Sequence, residues 1–488
     1  MSAPFAVILA AGAGRRMWPF GVTQSKALLP VGARPLLTRT VEQLRAAGCD
    51  ELCLVSGGPH DRALRGQAVA LDLPVVAAPA PGGTADALLA AWPGGGARRP
   101  VLAIYGDVSF AAGVLPRLLA AAAERPAAVH LLAVPLGPER PQDWLCVDCD
   151  PATGRVHRLW GHPRGGAHRV GGAFVLPPGF DHWLRANRGQ GLRVPVGGMP
   201  PADAPLEESI NLFLDDIAAA AAGAPVAADG AAGAVGRSRD AREPGALAVV
   251  GEAVDLDRPW HILEANAAEL RERFSGAVGV RGAERARVAA SADVRAPVIL
   301  EPGAELGERV IVRAPLYLCA GARVTDGAII AGPTLVGPGA RVSDYARVAE
   351  VVIGAGAVVG HAAEVSGVVM EGAHIVHYSE IDGVVGRQVD IGAATVCGTL
   401  RFDDGDSRQR VGGPGGRWET PAAYANASYF GDYSRTGVNV TLQPGRAIGP
   451  YACVGAAVLV TEDVADRTLV LLQQQLVSRP WGPERYGW

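Results

Sequence analysis

The second half of the chain carries an aliphatic residue at every sixth position over a long series. Small residues and turn formers lie between these positions, as in EPGAEL and VGPGARV. A period of six fits neither an α-helix nor an isolated strand. It is typical of a parallel β-helix, in which each short strand stacks on the next coil. The aliphatic positions are Val288, Val294, Leu300, Leu306, Val312, Leu318, Val324, Ile330, Val336, Val342 and Val348, then, one residue out of phase, Ile353, Val359 and Val365, and finally Leu442, Ile448, Val454 and Val460.

The first half, up to about residue 264, alternates short apolar runs with helical stretches. Phe5–Leu9 and residues 100–105 have the pattern of buried strands, whereas residues 36–47 have the apolar spacing of a helix that ends before Gly48. This alternation predicts an α/β domain whose sheet is mostly parallel. Ligands of such sheets bind beyond the carboxyl ends of the strands, so the loop after the first strand and Asp107 are expected to meet.

The 488 residues have a formal net charge of −4, and 49% of them are hydrophobic. This near-neutral balance gives no support to nucleic-acid binding or to membrane binding. Neither a signal peptide nor an apolar run long enough to cross a bilayer is evident, so a cytoplasmic location is expected. Cys146 and Cys149 form a single CxxC pair that alternates like a strand, and reduced thiols are favoured over a metal or redox site.

Residues 9–30, LAAGAGRRMWPFGVTQSKALLP, form a glycine-rich and basic loop after the first strand. Successive backbone N–H groups in a tight glycine turn make a binding site for anions. Arg15, Arg16 and Lys26 add positive charge that a purely structural turn does not need. The loop lacks the Gly-Lys-Ser/Thr ending of a Walker A motif, and Met17 replaces the third glycine of a dinucleotide fingerprint. A phosphate-rich ligand is therefore predicted.

Several motifs together resemble the sugar-1-phosphate nucleotidylyltransferases. Residues 9–17 followed by residues 25–30 (SKALLP) look like the signature of that family, residues 81–91 (PGGTADALLAA) are similar to its Gly-Thr-Ala nucleotide loop, and Gly106-Asp107 resembles its metal site. With the β-helix behind them, the whole chain is similar to the bifunctional N-acetylglucosamine-1-phosphate uridylyltransferase/glucosamine-1-phosphate acetyltransferase enzymes.

The resemblance implies that the phosphate of a sugar-1-phosphate attacks the α-phosphorus of an NTP, UTP or dTTP, and that pyrophosphate leaves. Arg16 and Lys26 would then hold the phosphates as catalytic residues. Asp107 and Asp255 would bind Mg²⁺, a hard ion that prefers oxygen ligands. The nucleotide-binding residues implied by the resemblance are Gly12, Ala13, Gly14, Gly83 and Thr84.

The sequence departs from that family at its base and sugar contacts. Ala78 stands where many relatives carry a glutamine that reads the base. Gly161-His162-Pro163 replaces a Glu-Lys-Pro segment near the sugar, and Gly171-Gly172-Ala173 replaces the segment with the sugar-binding asparagine. The phosphate and metal contacts are kept. A non-catalytic protein that binds a nucleotide or a sugar phosphate is therefore an alternative to the enzyme.

Histidines of the β-helix half offer a second candidate site. On the family resemblance, His377 is the general base that deprotonates an amine for attack on acetyl-CoA, and Arg435 contacts the phosphates of this co-substrate. His374 is an alternative base, because the alignment needs a one-residue gap. Two other interpretations are a β-helix used only for oligomerisation or regulation, and a metal site of His361, His374 and His377 as in β-helix carbonic anhydrases.

The predicted fold class is α/β: a Rossmann-like mixed-sheet nucleotidyltransferase domain over residues 1–264, followed by a left-handed parallel β-helix over residues 286–466. Residues 265–285 are assigned to a connecting helix or linker, and residues 467–488 to a C-terminal tail. Residues 218–245 are expected to form the end of a helix and a loose excursion. Because β-helices of the hexapeptide kind usually trimerise, the resemblance also implies a homotrimer.

Overall fold

The computed structural model describes residues 4–79, 82–93, 99–186, 205–221 and 245–485. Most of the loose excursion predicted over residues 218–245 lies outside these ranges, and so does Pro81 of the expected nucleotide loop. In the described ranges, no helix has the length and apolar character that a bilayer span requires.

The amino-terminal half contains strands and helices in alternation, as predicted. The strands are β1 (Phe5–Leu9), β2 (Pro30–Val31), β3 (Arg34–Pro35), β4 (Leu52–Ser56), β5 (Val75–Ala77), β6 (Val101–Tyr105), β7 (Val108–Phe110), β8 (Val129–Pro135), β9 (Leu145–Cys149), β10 (Val156–Gly161), β11 (His168–Leu176), β12 (Ala246–Val250) and β13 (Ala253–Asp255). The helices are α1 (Leu36–Ala46), α2 (Asp61–Ala70), α3 (Thr84–Ala90), α4 (Val114–Glu124), α5 (Phe180–Ala186), α6 (Leu206–Ala221) and α7 (Pro259–Phe274).

The central sheet of this half is mixed. Its strand order is β10-β9-β11-β6-β1-β4-β5, and β8 pairs with β11 and β12 beside that path. β1 is parallel to β4 and β6, whereas β11 is antiparallel to β6 and β8. Successive residues of β1 enter different cores: Val7 packs with α3, α5 and α6, and Ile8 packs with α1, α2 and α4. Helices therefore cover both faces, which confirms the Rossmann-like fold.

The carboxyl-terminal half consists of short strands in a regular order. They are β14 (Val280–Arg281), β15 (Arg287–Val288), β16 (Asp293–Val294), β17 (Val298–Leu300), β18 (Glu305–Leu306), β19 (Ile311–Val312), β20 (Leu316–Leu318), β21 (Arg323–Val324), β22 (Ile329–Ile330), β23 (Thr334–Val336), β24 (Arg341–Val342), β25 (Arg347–Ile353), β26 (Val358–Val359), β27 (Glu364–Val369), β28 (His374–Ile375), β29 (Glu380–Val385), β30 (Asp390–Ile391), β31 (Val396–Cys397), β32 (Gln409–Val411), β33 (Arg417–Glu419), β34 (Ser428–Phe430), β35 (Arg435–Thr436), β36 (Thr441–Leu442), β37 (Ala447–Ile448), β38 (Cys453–Val454), β39 (Leu459–Val460) and β40 (Leu469–Val470).

The register of these strands defines a parallel β-helix. Leu300 pairs in parallel with Leu318, and Leu306 pairs with Val324, so one coil contains three of the six-residue units. Val336 pairs with Ile353, one residue earlier than that rule requires, which accounts for the change of phase in the sequence. The repeated aliphatic side chains from Leu300 to Val460 point into the coils and form one continuous buried core. Val294 is partly buried against this core, and Val288 in the first coil is exposed. The left-handed parallel β-helix of the prediction is thereby confirmed.

The two halves share an apolar core around helix α7, which crosses the boundary predicted at residue 264. Helix α7 contacts β2 on one side and β25, β27 and β29 of the β-helix on the other. The buried residues of this core come from both halves. They are Met17, Trp18, Phe20, Leu29, Val31, Leu36, Leu256, Trp260, Ile262, Leu263 and Ala265 of the amino-terminal half and α7, together with Val368, Met370, Val384, Val411, Ala427, Tyr429 and Ala447 of the β-helix half.

Candidate functional site

The glycine-rich loop starts at the carboxyl end of β1, beside the carboxyl end of β6. The backbone N–H of Gly106 donates to the carbonyl oxygen of Leu9 at 2.8 Å. A Cβ on Gly106 would lie only 3.0 Å from the Cβ of Ala10, so the close approach of the two strand ends favours glycine. Asp107 follows directly, which brings it to the loop as the strand pattern predicted.

Beyond β1 the loop turns sharply at Gly14. The φ angle of Gly14 is +63°, a left-handed conformation that favours glycine, and it precedes the short 3₁₀ helix Arg15–Met17. Gly12 and Ala13 are exposed. The backbone of this turn is therefore open to a ligand, while Arg16 projects from the 3₁₀ helix with 51% of its side chain exposed.

Lys26 lies at the centre of a charge cluster. Its Nζ is 3.1 Å from Oδ2 of Asp107 and 2.9 Å from Oδ1 of Asp257, and its side chain is only 14% exposed. Nη1 of Arg16 lies 3.0 Å from the other oxygen of Asp257. Burial alone would lower the pKa of Lys26, but the carboxylates of Asp107, Asp257 and Asp255 outweigh it and hold this pKa above its ordinary value. Arg16, Lys26 and Asp107 thus meet at one place.

Lys26 is also the sole lysine of the chain, because every other one of its 45 Lys and Arg residues is an arginine. An ammonium group is a compact charge with three donors, whereas a guanidinium is a planar fork. The space between Asp107 and Asp257 holds the compact cation. The sequence alone therefore singles out Lys26, without any family resemblance.

Asp107 and Asp255 form the candidate metal centre. Asp255 ends β13, whose antiparallel pairing with β7 sets it opposite Val108, next to Asp107 in the chain. Burial, and then the charge of Asp107, raise the pKa of Asp255 to about 7. Its Oδ1 is buried and has no hydrogen-bond partner among the described residues. Two neighbouring carboxylates, one with an unsatisfied oxygen, suit a hard divalent cation such as Mg²⁺.

Asp257 belongs to this cluster, although the sequence interpretation gave it no role. It is 5% exposed. Burial would raise its pKa, but Lys26, Arg258 and Arg16 hold that pKa below its ordinary value. The turn that presents it is fixed by His261, whose Nδ1 accepts hydrogen bonds from the backbone N–H groups of Asp257 and Arg258, each at 3.2 Å. Asp257 therefore neutralises the two cations that were predicted to hold phosphates.

A hairpin of the β-helix half, formed by β32 and β33, binds Arg258, which is the neighbour and ion-pair partner of Asp257. Glu419 at the end of β33 accepts hydrogen bonds from Nε and Nη2 of Arg258 at 2.8 and 3.2 Å, and Arg258 in turn donates to Asp257. A continuous line of contacts thus runs from Glu419 through Arg258 and Asp257 to Lys26. No local pattern in the sequence indicates this contact, because Glu419 lies 161 residues from Arg258.

Asp432 of the β-helix half holds the later part of the glycine-rich loop. Its side chain is fully buried and lies 2.7 Å from the guanidinium of Arg387. Its carboxylate also accepts hydrogen bonds from Oγ1 of Thr23 at 2.9 Å and from Nε2 of Gln24 at 2.9 and 3.1 Å. Lys26 follows two residues after Gln24, so the β-helix contributes to the position of the candidate phosphate-binding lysine.

Gly83 and Thr84 lie at the start of α3, and their hydrogen bonds go to Asp86 and Leu206. The backbone N–H of Gly83 donates to Oδ2 of Asp86 at 3.2 Å. The hydroxyl of Thr84 accepts a hydrogen bond from the backbone N–H of Leu206 at 2.8 Å. Neither residue is hydrogen-bonded to the cluster around Lys26, and their contact with a nucleotide stays a prediction.

His261 belongs to a second cluster of ionisable side chains, together with Glu139 and Glu264. Within the described ranges, Glu139, His261 and Glu264 bring ligand atoms within 4.8 Å of one another, whereas the three β-helix histidines do not form such a group. Nε of Arg169 lies 3.2 Å from Glu139. Burial lowers the pKa of His261 to about 3, and burial together with the charge of Glu139 raises the pKa of Glu264 to about 7. Because Nδ1 of His261 accepts two backbone hydrogen bonds, the proton of the neutral ring is on Nε2.

Replacing Glu264 with glutamine is expected to stabilise the protein in a pH-dependent way. The pKa of Glu264 in the folded state, about 7, exceeds its ordinary value of 4.5, so stability is lost as the pH rises through 7. Glu264→Gln should raise the free energy of unfolding by about 1–3 kcal/mol at pH 8 and by much less near pH 5. Urea unfolding at both pH values measures this. Glu124→Gln, at an exposed position, is the control, and an equal gain at both pH values would contradict the assignment.

The residues predicted for acetyl transfer lie on the surface of the β-helix. His377 and Tyr378 are both exposed, and their ring centroids are 5.0 Å apart. His374, Asp390 and Arg435 are successive partners in one parallel ladder of strands. Arg435 thus shares a ladder with His374, while His377 is at the following corner. Both histidines remain candidates for the base.

The amino-terminal half matches the MobA-like NTP transferase domain, whose family model covers residues 6–170. This range contains the glycine-rich loop, Lys26 and Asp107, whereas Asp255 and Asp257 follow it. The chain thus combines an α/β domain that is similar to the MobA-like NTP transferase domain with a left-handed parallel β-helix.

Two curated relatives carry names that combine two activities. The bifunctional sugar-1-phosphate nucleotidylyltransferase/acetyltransferase of Sulfurisphaera tokodaii is 37% identical over 101 residues, which are 20% of this chain and 24% of the relative. The bifunctional protein GlmU of Methanococcus vannielii is 27% identical over 123 residues, which are 25% of this chain and 29% of the relative. The matched residues thus span less than a third of the length of either relative.

Among solved structures, a crystal structure from Bacillus anthracis, assigned as a glucose-1-phosphate thymidylyltransferase and containing sucrose, is similar to part of this chain. The match covers 55% of this chain and 95% of that chain at 16% identity, with a TM-score of 0.40. A TM-score this low does not establish a common fold.

Proposed function

We propose that the amino-terminal domain is a sugar-1-phosphate nucleotidylyltransferase, which forms a nucleotide-sugar from an NTP, UTP or dTTP, and a sugar-1-phosphate. The observation that carries this proposal is the convergence of Arg16, Lys26, Asp107 and Asp255 at the carboxyl ends of the strands, beside an exposed glycine turn. The names of the curated relatives support the same activity.

In the proposed reaction, an oxygen of the sugar phosphate attacks the α-phosphorus of the NTP. The bond from that phosphorus to the bridging oxygen breaks, and its electron pair leaves with pyrophosphate. The backbone N–H groups of Gly12, Ala13 and Gly14 bind phosphate oxygens, while Lys26 and Arg16 neutralise the charge that develops on the leaving group. Because both cations are already held by Asp257, they need little reorganisation when the substrate binds.

Asp107 and Asp255 are the residues that would hold Mg²⁺. The bound ion would supply further charge neutralisation to the triphosphate. The carboxyl groups themselves favour a cation: burial and then the charge of Asp107 raise the pKa of Asp255, and a cation beside both groups would oppose that rise.

A pyrophosphate-release assay tests this activity. UTP, dTTP, GTP and ATP are each combined with several sugar-1-phosphates in the presence of Mg²⁺. We expect release with UTP or dTTP and at least one sugar-1-phosphate, and none without the sugar. The absence of release with every pair, together with retained nucleotide binding, would favour a non-catalytic nucleotide-binding domain instead.

For the β-helix half we propose transfer of an acetyl group from acetyl-CoA to the amino group of an amino-sugar-1-phosphate. In this step the amine nitrogen attacks the thioester carbon and a histidine takes the proton of the amine. The bond from that carbon to sulfur then breaks, and the histidine returns the proton to the CoA thiolate, which leaves as the thiol. His377 is the proposed base and Arg435 the proposed contact for the phosphates of CoA. A homotrimer and a cytoplasmic location belong to the same proposal.

Replacing His377 with alanine should lower acetyl transfer by about 10²- to 10⁴-fold, the usual contribution of a positioned general base. Release of the CoA thiol, followed with a thiol reagent, measures this step. Pyrophosphate release should stay unchanged in the same protein. His361→Ala is the matched control, because His361 is another exposed histidine of the β-helix. If acetyl transfer is lost in His374→Ala but is complete in His377→Ala, His374 is the base. If the wild-type protein releases no CoA, the proposal of acetyl transfer is wrong and a role of the β-helix in assembly alone is favoured.

A further inference from the structure

Three arginines surround one tryptophan on the hairpin of the β-helix half. Arg410 on β32 pairs across the hairpin with Trp418 on β33. The guanidinium carbons of Arg408, Arg410 and Arg446 lie 5.9, 4.5 and 5.6 Å from the centroid of the Trp418 ring. Trp418 is 38% exposed and Arg408 is exposed as well. We call Arg408, Arg410, Arg446 and Trp418 the arginine cluster.

The guanidiniums of the arginine cluster form no ion pair with the described residues. In the part of the chain that the structure describes, none of the three guanidiniums forms an ion pair or a side-chain hydrogen bond, and Nε of Arg446 is buried without a hydrogen-bond partner. Arg417, next to Trp418 in the chain, differs because it pairs with Glu419.

Asp463 is a counter-charge to two members of the cluster. Arg446 and Arg410 both act on the carboxyl group of Asp463, whose Oδ1 accepts a hydrogen bond from the backbone N–H of Ala447 at 3.0 Å. Asp463 opposes two of the three guanidiniums, so the positive charges around the ring outnumber this carboxylate.

Such an arrangement is complementary to a ligand with several negative charges. Like charges held close together repel one another, and an anion between them removes that repulsion. Guanidinium forks bind phosphate oxygens in bidentate fashion and are well suited to phosphate groups. One arginine would be enough for a cation–π contact with the indole, so three around the same ring point to an anion.

We propose that the arginine cluster binds the diphosphate or longer phosphate chain of a soluble ligand. This site is separate from the one around Lys26, and it does not depend on the proposed transferase activity. Trp418 adds a flat apolar surface on which a nucleotide base stacks, so the ligand is either an inorganic phosphate chain or a nucleoside diphosphate. Trp418 precedes Glu419 in β33, and Glu419 accepts hydrogen bonds from Arg258. A ligand on Trp418 would therefore contact the same strand that binds Arg258.

Calorimetric titration with inorganic pyrophosphate, without Mg²⁺, tests the site. The proteins are the wild type, Lys26→Ala, and the double variant Arg410→Ala/Arg446→Ala. We expect Lys26→Ala to retain one binding site and the double variant to lose at least tenfold in affinity at that site. Binding should weaken as NaCl is raised. Arg323→Ala/Arg341→Ala, which removes two exposed arginines of the same β-helix, is the matched control.

Three results would overturn the inference: no pyrophosphate binding outside the Lys26 site, equal affinity in the wild type and the double variant, or an equal loss in the control. The first of these would leave the proposed transferase untouched, because Lys26 would still bind the ligand. Should Lys26→Ala fail to fold, the wild-type stoichiometry falling from two sites to one in the double variant gives the same answer. A parallel titration with ADP identifies a nucleotide ligand if ADP binds more tightly than pyrophosphate and Trp418→Ala removes that difference.

Discussion

Replacing Lys26 with alanine is expected to lower the rate of pyrophosphate release by about 10²- to 10³-fold, as when one preorganised charge is removed from a reaction site. The ammonium group of Lys26 is the cation that lies between Asp107 and Asp257, at 3.1 and 2.9 Å. Without it, the carboxylate of Asp107 loses its ion-pair partner where the triphosphate arrives, and Asp257 keeps only Arg16 and Arg258. A coupled pyrophosphate assay at saturating Mg²⁺ measures the loss, and circular dichroism establishes that the variant is folded.

Lys26→Arg should lower the rate of pyrophosphate release almost as much as Lys26→Ala does, although it keeps the positive charge. A planar guanidinium requires a wider space than the one between Asp107 and Asp257. Arg45→Lys, at an exposed position of α1, serves as the control for a tolerated exchange of the two cations. Full activity of Lys26→Ala would remove the lysine from the phosphate site. Loss of acetyl transfer in the same folded variant would contradict two independent sites.

The elements with strong periodicity were predictable from the sequence. Phe5–Leu9 forms the strand that its apolar run predicts, and the six-residue series forms the stacked core of the β-helix. The convergence of Arg16, Lys26 and Asp107 at one place was also predictable in outline. In a parallel sheet, loops that follow neighbouring strands must meet at one edge, whatever lies between them in the chain.

Contacts between the two halves could not be predicted in the same way. Glu419 holds Arg258, which in turn donates to Asp257, because a hairpin inserted between β-helix coils reaches back to the first domain. Neither the six-residue period nor the strand–helix alternation carries information about how two such bodies dock. Those contacts join side chains that are far apart in the chain. A periodic pattern gives information only about residues that are close together in the sequence.

Asp432 allows the strongest test of this docking. Asp432→Ala should lower the free energy of unfolding by about 3–5 kcal/mol, the cost of breaking a buried charge pair from one side. The substitution leaves Arg387, Gln24 and Thr23 without the carboxylate to which they donate. It should also reduce pyrophosphate release although Asp432 lies in the β-helix, because the loop that carries Lys26 loses its support. Urea unfolding and the pyrophosphate assay measure the two effects.

Glu371→Ala, which removes an exposed carboxylate of the same β-helix, should change neither quantity. If Asp432→Ala lowers stability while the remaining folded protein releases pyrophosphate at the wild-type rate, the loop keeps its working conformation without the Asp432 carboxylate. If both quantities fall together and the KM for the NTP rises more than kcat falls, the β-helix acts by positioning the triphosphate loop. A buried carboxylate that receives donors from both halves makes the second outcome the expected one, since the loop residues Thr23 and Gln24 have this single acid as their shared anchor.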